Sequence, residues 1–158
     1  MPSKTVFGSA LLTLRIFNMR LYGKDIKADT LSPLTLAFTG DAVFSLFIRE
    51  MLVCDANRPV GELHKLSVQS VKASSQARAM REIMPMLTEK EMDVFKRGRN
   101  AHTSHTPKNQ SGCDYHYATG FEALIGYLYL KDEEERLNLL LNEVIKVFGD
   151  DAGENTPK

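Results

Sequence analysis

Two acidic side chains stand where ionised groups are costly. Asp41 lies in an apolar run, and the residues three and four positions from it are Ala37, Phe38, Phe44 and Ser45. Glu122 lies in a second apolar run, with Ala118, Thr119, Ile125 and Gly126 at the same spacings. None of these neighbours is basic. A carboxylate withdrawn from water needs a charged or donating partner to offset its lost hydration. Each acid also stands beside small residues, in Thr39-Gly40-Asp41-Ala42 and in Thr119-Gly120-Phe121-Glu122-Ala123. Small residues let helices approach closely, so the two carboxylates can face each other across one packed seam. Facing carboxylates repel unless a divalent cation lies between them. Oxygen-only ligands suit Mg²⁺ or Mn²⁺, and so few protein ligands leave positions for water and phosphate oxygens. The competing arrangement is that each acid pairs with a distant arginine or takes backbone donors.

The elements that must position these acids read as helices. Ser32 before Pro33 is an N-cap with proline at the first helical position, opening a helix over 33–53. That helix is apolar almost all round (Leu34, Leu36, Phe38, Val43, Phe44, Leu46, Phe47, Ile48), so it is expected at the centre of the fold. Asn57-Arg58-Pro59 is a break. Leu63, Leu66 and Val71 suit one amphipathic helix, and Ala77, Met80, Ile83 and Met84 the next. Thr88-Glu89-Lys90-Glu91 is a capping box opening a helix that runs towards Arg99. Residues 102–113 have no periodicity and read as a loop. Asp114 caps a long helix, and 133–148 forms a last one ended by Gly149. No strand pattern survives, and the class is all-α.

The chain has 158 residues, one domain's worth, and 43% of them are hydrophobic, which argues against wholesale disorder. No apolar run approaches the roughly 20 residues of a membrane span, so no membrane partner is expected. Two isolated cysteines, Cys54 and Cys113, are no disulfide framework and point to a reducing compartment. The net charge is zero but unevenly spread. Residues 58–116 hold ten basic and six acidic side chains and all four histidines, whereas 131–154 hold three basic and eight acidic ones. A basic middle beside an acidic tail suits a polyanion-binding face, and equally suits solvated helix faces. Residues 1–24 are basic and free of acids, a composition resembling an organelle presequence; a first helix (Leu11, Leu12, Leu14, Ile16, Phe17) or a variable extension reads equally well.

Three segments carry a resemblance. LAFTGDAV (Leu36–Val43), RGRNA (Arg97–Ala101) and YATGFEALIGYLYL (Tyr117–Leu130) resemble, in order and spacing, the motifs of Mini-ribonuclease III, the short bacterial relative of ribonuclease III. The likeness covers about residues 30–148. It implies an all-α ribonuclease III endonuclease-domain helical fold without an appended double-stranded-RNA-binding domain. The corresponding division is an N-terminal extension or first helix over 1–29, a catalytic domain over 30–149 and a disordered tail over 150–158. It further implies a homodimer that cuts double-stranded RNA with Mg²⁺ (Mn²⁺ as the alternative) and needs no small-molecule cofactor. The family's role is in 23S ribosomal RNA precursor processing, which places the protein in the cytoplasm, with an organelle as the alternative.

By the resemblance, Asp41 falls on the aspartate of the GD motif and Glu122 on the metal-binding glutamate of the second acidic motif. The sequence departs from full-length ribonuclease III at Leu34, Ala37 and Thr119, where the longer enzymes carry further acids. The reduced set fits the short family. Catalysis and metal binding are thus expected of Asp41 and Glu122, with products bearing 5′-phosphate and 3′-hydroxyl ends. RNA contacts are expected of Arg97, Arg99, Asn100, Lys108 and Asn109, whose cations can meet phosphates. Such contacts read duplex shape and carry little sequence preference. Two alternatives belong to another class. His102-x2-His105 with Cys113-x2-His116 has zinc-ligand spacing, which would make 102–116 a zinc-stapled RNA-binding module. A catalytically silent scaffold of the same fold is the second, and the intact acid pair argues against it.

Overall fold

The computed structural model describes residues 19–101 and 112–153, the last five as backbone only. Lys108, Asn109, His102, His105 and the N-terminal segment up to residue 18 lie outside the described residues. Six α-helices follow one another: α1 (Pro33–Asp55), α2 (Val60–Val71), α3 (Ala73–Ile83), α4 (Glu89–Arg99), α5 (Gly112–Leu130) and α6 (Glu134–Gly153). Short 3-10 turns occupy Ala28–Thr30 and Met84–Met86. Among the described residues there is no strand, and no helix is long and apolar enough to cross a membrane.

Local signals set the helix starts. The Ser32 hydroxyl accepts from the Thr35 amide at 3.1 Å and Pro33 begins α1. The capping box closes as the sequence requires: the Glu91 amide donates to Thr88 Oγ1 at 3.2 Å, and the Thr88 amide donates to Glu91 Oε2 at 2.8 Å. Glu91 is also gripped by Arg136 from α6, whose Nε donates at 2.8 Å while its Nη2 donates to the Met86 carbonyl at 2.6 Å.

The central helix is α5. From Ala118 to Leu128 every residue is buried except Glu122. Helices α1, α3, α4 and α6 all pack on it. Phe44 and Phe121 meet edge to face, with ring centroids 5.0 Å apart, and Phe95 closes on Tyr117 from α4. Full burial of each such phenylalanine contributes about 1.5–3 kcal/mol. Leu137, Leu140, Leu141 and Val144 seal the core from α6.

Three sequence expectations are corrected. Helix α1 is not central: Leu36, Ala37, Gly40, Phe44 and Ile48 face the core, while Phe38 is 83% exposed and Leu46 57%. Composition alone does not say whether the second apolar face is covered. Asp114 does not precede α5 as a cap but lies in its first turn, where Arg81 of α3 donates to Oδ1 at 2.8 Å. Helix α6 continues through Gly149 to Gly153, since a glycine weakens a helix without forbidding it.

Candidate active site

The site is made by a crossing of α1 and α5 in which main chain touches main chain. A Cβ built on Gly40 would stand 1.7 Å from the Glu122 carbonyl oxygen, and one on Gly126 would stand 1.9 Å from the Leu36 carbonyl oxygen. Only glycine fits at either position. The close approach carries Asp41, the residue after Gly40, alongside Glu122. The sequence reading expected small residues to bring the acids to one seam: Gly40 does so, but Gly120 packs against Phe95 of α4, and Gly126 is the glycine of α5 at the crossing.

The two carboxylates sit in different surroundings. Asp41 is exposed, whereas Glu122 is recessed in the buried middle of α5. Burial and the charge of Asp41 push the Glu122 carboxyl up from 4.5 to about 7, against a smaller opposing pull from the Gln76 amide. Among the described residues no lysine or arginine forms an ion pair with either acid. Gln76 of α3 lies against Glu122 and is only 1% exposed, yet neither polar atom of its amide completes a hydrogen bond of ordinary geometry among the described residues.

This donor set fits a hard divalent cation. Two oxygen ligands with no counter-charge and a polar amide beside them are what Mg²⁺ or Mn²⁺ takes, with water and phosphate completing the shell. No group of three or more His, Cys, Asp or Glu that could hold a metal occurs among the described residues; the acids at the crossing are two. Thr119, one turn before Glu122 on α5, turns its hydroxyl onto the Tyr115 carbonyl at 3.0 Å.

The basic candidates divide. The Arg97 guanidinium donates to the Leu31 carbonyl at 3.3 Å, tying the end of α4 to the segment before α1. Arg99 lies over the Phe95 ring, 5.6 Å from its centroid, and its Nε donates to Asn100 Oδ1 at 3.1 Å. Asn100 is exposed at the C-cap of α4. Gln76 is the residue that sequence reasoning missed. Its one signal was a polar side chain in register with the apolar stripe of Met80 and Ile83.

The ribonuclease III domain family model matches residues 34–133, which spans both acids, α1 from its second residue and all of α2 to α5. The Mini-ribonuclease 3 of Thermoanaerobacter sp. (strain X514) is 51% identical over 119 residues, covering 75% of this chain and 84% of that one. The Mini-ribonuclease 3 of Clostridium tetani is 45% identical over 129 residues, covering 79% and 85%. A crystal structure of a Fusobacterium nucleatum protein superposes with a TM-score of 0.68 at 33% identity, covering 74% of this chain and 93% of that one. The crossed helices, their paired acids and these relatives together establish that the chain belongs to the Mini-ribonuclease 3 family of ribonuclease III-domain proteins and is an endoribonuclease.

Proposed function

We propose that the protein cleaves double-stranded RNA in a Mg²⁺-dependent reaction (Mn²⁺ as the alternative ion), working as a homodimer in the cytoplasm on 23S ribosomal RNA precursor during ribosome biogenesis. The observation that carries the reading is the acid pair at the α1–α5 crossing: Gly40 lies against the Glu122 main chain, the charge of Asp41 acts on the Glu122 carboxyl, and no lysine or arginine among the described residues pairs with either acid. Asp41 and Glu122 hold the cation. When bound, a divalent cation neutralises charge at the scissile phosphate and lowers the pKa of an attacking water. The water oxygen forms a bond to phosphorus while the bond from phosphorus to the 3′-oxygen breaks. That oxygen keeps the electron pair and takes up a proton, leaving a 3′-hydroxyl and a 5′-phosphate. Asp41, being exposed, faces the incoming backbone, whereas recessed Glu122 is shielded from bulk water.

Two copies supply two sites, one for each strand. Leu34, Phe38, Ala42 and Leu46 recur every four residues on the uncovered side of α1, followed by Val53, and this stripe is the face on which a second copy packs. Phe44, by contrast, is spent in the monomer's own core. Arg97, Arg99, Asn100, Lys108 and Asn109 supply phosphate contacts, and Arg97 also ties the end of α4 to the Leu31 carbonyl. Placement on the ribosomal precursor follows the family's role, not a feature of this site.

The test is cleavage of a labelled RNA duplex by wild type and Asp41→Asn, each with MgCl₂ and with EDTA. Wild type is expected to cut only with Mg²⁺, leaving 5′-phosphate ends, and the folded variant is expected not to cut. Near-normal cutting by Asp41→Asn, or cutting in EDTA, refutes the assignment.

A further inference from the structure

Gln76 is a costly residue in the place it occupies. Its amide meets the Glu122 carboxyl without completing a hydrogen bond of ordinary geometry, so it recovers little of the hydration lost on burial, and a leucine or methionine would fill the same volume at no such cost. Among the described residues it is the one buried side chain neither of whose two polar atoms completes a hydrogen bond of ordinary geometry. It lies on the buried side of α3, which also carries Ala77, Met80 and Ile83, against the one acid in the buried stretch of α5. An amide can serve an ionised carboxylate and a cation's water at once, because it carries both a donor and an acceptor. Groups that orient metal-binding side chains in this way are a regular part of metal sites.

We propose that Gln76 is a positioning residue of the carboxylate pair: when a divalent cation is bound, its amide nitrogen donates to Glu122 and its amide oxygen accepts from a water of the cation's shell. The inference rests on the reading of Asp41 and Glu122 as a cation site. It places the orphaned amide in the metal-loaded state and assigns α3, as well as α1 and α5, to the site.

The experiment measures MnCl₂ binding to the whole protein by calorimetry without RNA, beside thermal melts in EDTA, for wild type, Gln76→Met, Gln76→Glu and Glu122→Gln. Gln76→Met is expected to weaken Mn²⁺ binding about 10-fold, with a melting temperature in EDTA equal to or above wild type. Gln76→Glu is expected to tighten Mn²⁺ binding while melting lower in EDTA, because it sets a further carboxylate beside Glu122. Unchanged Mn²⁺ affinity in Gln76→Met overturns the proposal, as does a lowered melting temperature in EDTA, which would mark Gln76 as a packing residue. If Gln76→Met does not fold, Gln76→Glu decides, and affinity at or below wild type overturns the proposal. Wild type and Glu122→Gln binding Mn²⁺ equally would instead sink the cation site itself, and the proposal with it.

Discussion

Neutralising Glu122 should make the metal-free protein more stable at neutral pH, and the size of the effect follows from the site. Its carboxyl rises from 4.5 to about 7 on folding, chiefly through burial and then through Asp41. The folded state therefore holds this proton more tightly than the unfolded chain does. Stability is highest below the unfolded value, falls as pH climbs from about 4.5 to about 7, and is flat beyond. At about 1.4 kcal/mol per pH unit the whole decline is about 3 kcal/mol. Glu122→Gln keeps the size of the side chain and removes the titration of this group. Urea unfolding in EDTA between pH 5 and pH 8 should thus show wild type losing stability relative to Glu122→Gln, by most of that amount. Saturating Mg²⁺ at pH 8 should restore wild type and leave the variant unmoved, since a ligand stabilises only the state that binds it. Parallel stability curves in EDTA, or a wild type that gains on the variant as pH rises, would refute the reasoning.

Gly126→Ala should separate α1 from α5, because the new Cβ meets the Leu36 carbonyl oxygen at 1.9 Å; a loss at or above the upper end of about 1–3 kcal/mol is expected in urea unfolding. Phe38→Glu places a charge on the uncovered α1 stripe and should halve the mass seen by light scattering at micromolar concentration, with helicity by circular dichroism unchanged. Arg136→Ala leaves Glu91 buried and ionised, a loss of about 3 kcal/mol. Because Arg136 holds Glu91 below the usual carboxylate range, that difference should be present above about pH 4.5 and shrink as pH falls and Glu91 protonates.

Features coded within one helical turn were legible before any coordinates: the Ser32-Pro33 start, the Thr88–Glu91 box, and two acids without basic neighbours on their own helices. Their meeting was legible in part: Gly40 was read as a close-approach residue, but its counterpart on α5 was read as Gly120, which packs against Phe95, and the glycine at the crossing is Gly126. Features that depend on what a distant segment does were not. The Arg136–Glu91 pair spans 45 residues, and nothing local to either residue names the other. Whether Phe38 or Phe44 faces inward cannot be read from a helix apolar on both sides; it is decided by where α5 lies. Arg97 reads as one more surface cation beside Arg99, and only the position of the Leu31 carbonyl turns it inward. Gln76 was passed over because one polar residue in an amphipathic helix is ordinary until its neighbour across the seam is an acid.

The contact between Gly40 and Glu122 makes the tolerance of the site one-sided. With main chain already against main chain, the two helices have no nearer position available, and every replacement of either glycine moves them the same way: outward. Inherited variation at these positions can therefore lengthen the gap between Asp41 and Glu122 but never shorten it. On the proposed reading of Asp41 and Glu122 as a cation site, the smallest side chain in the protein thus sets the closest approach of its two ligands.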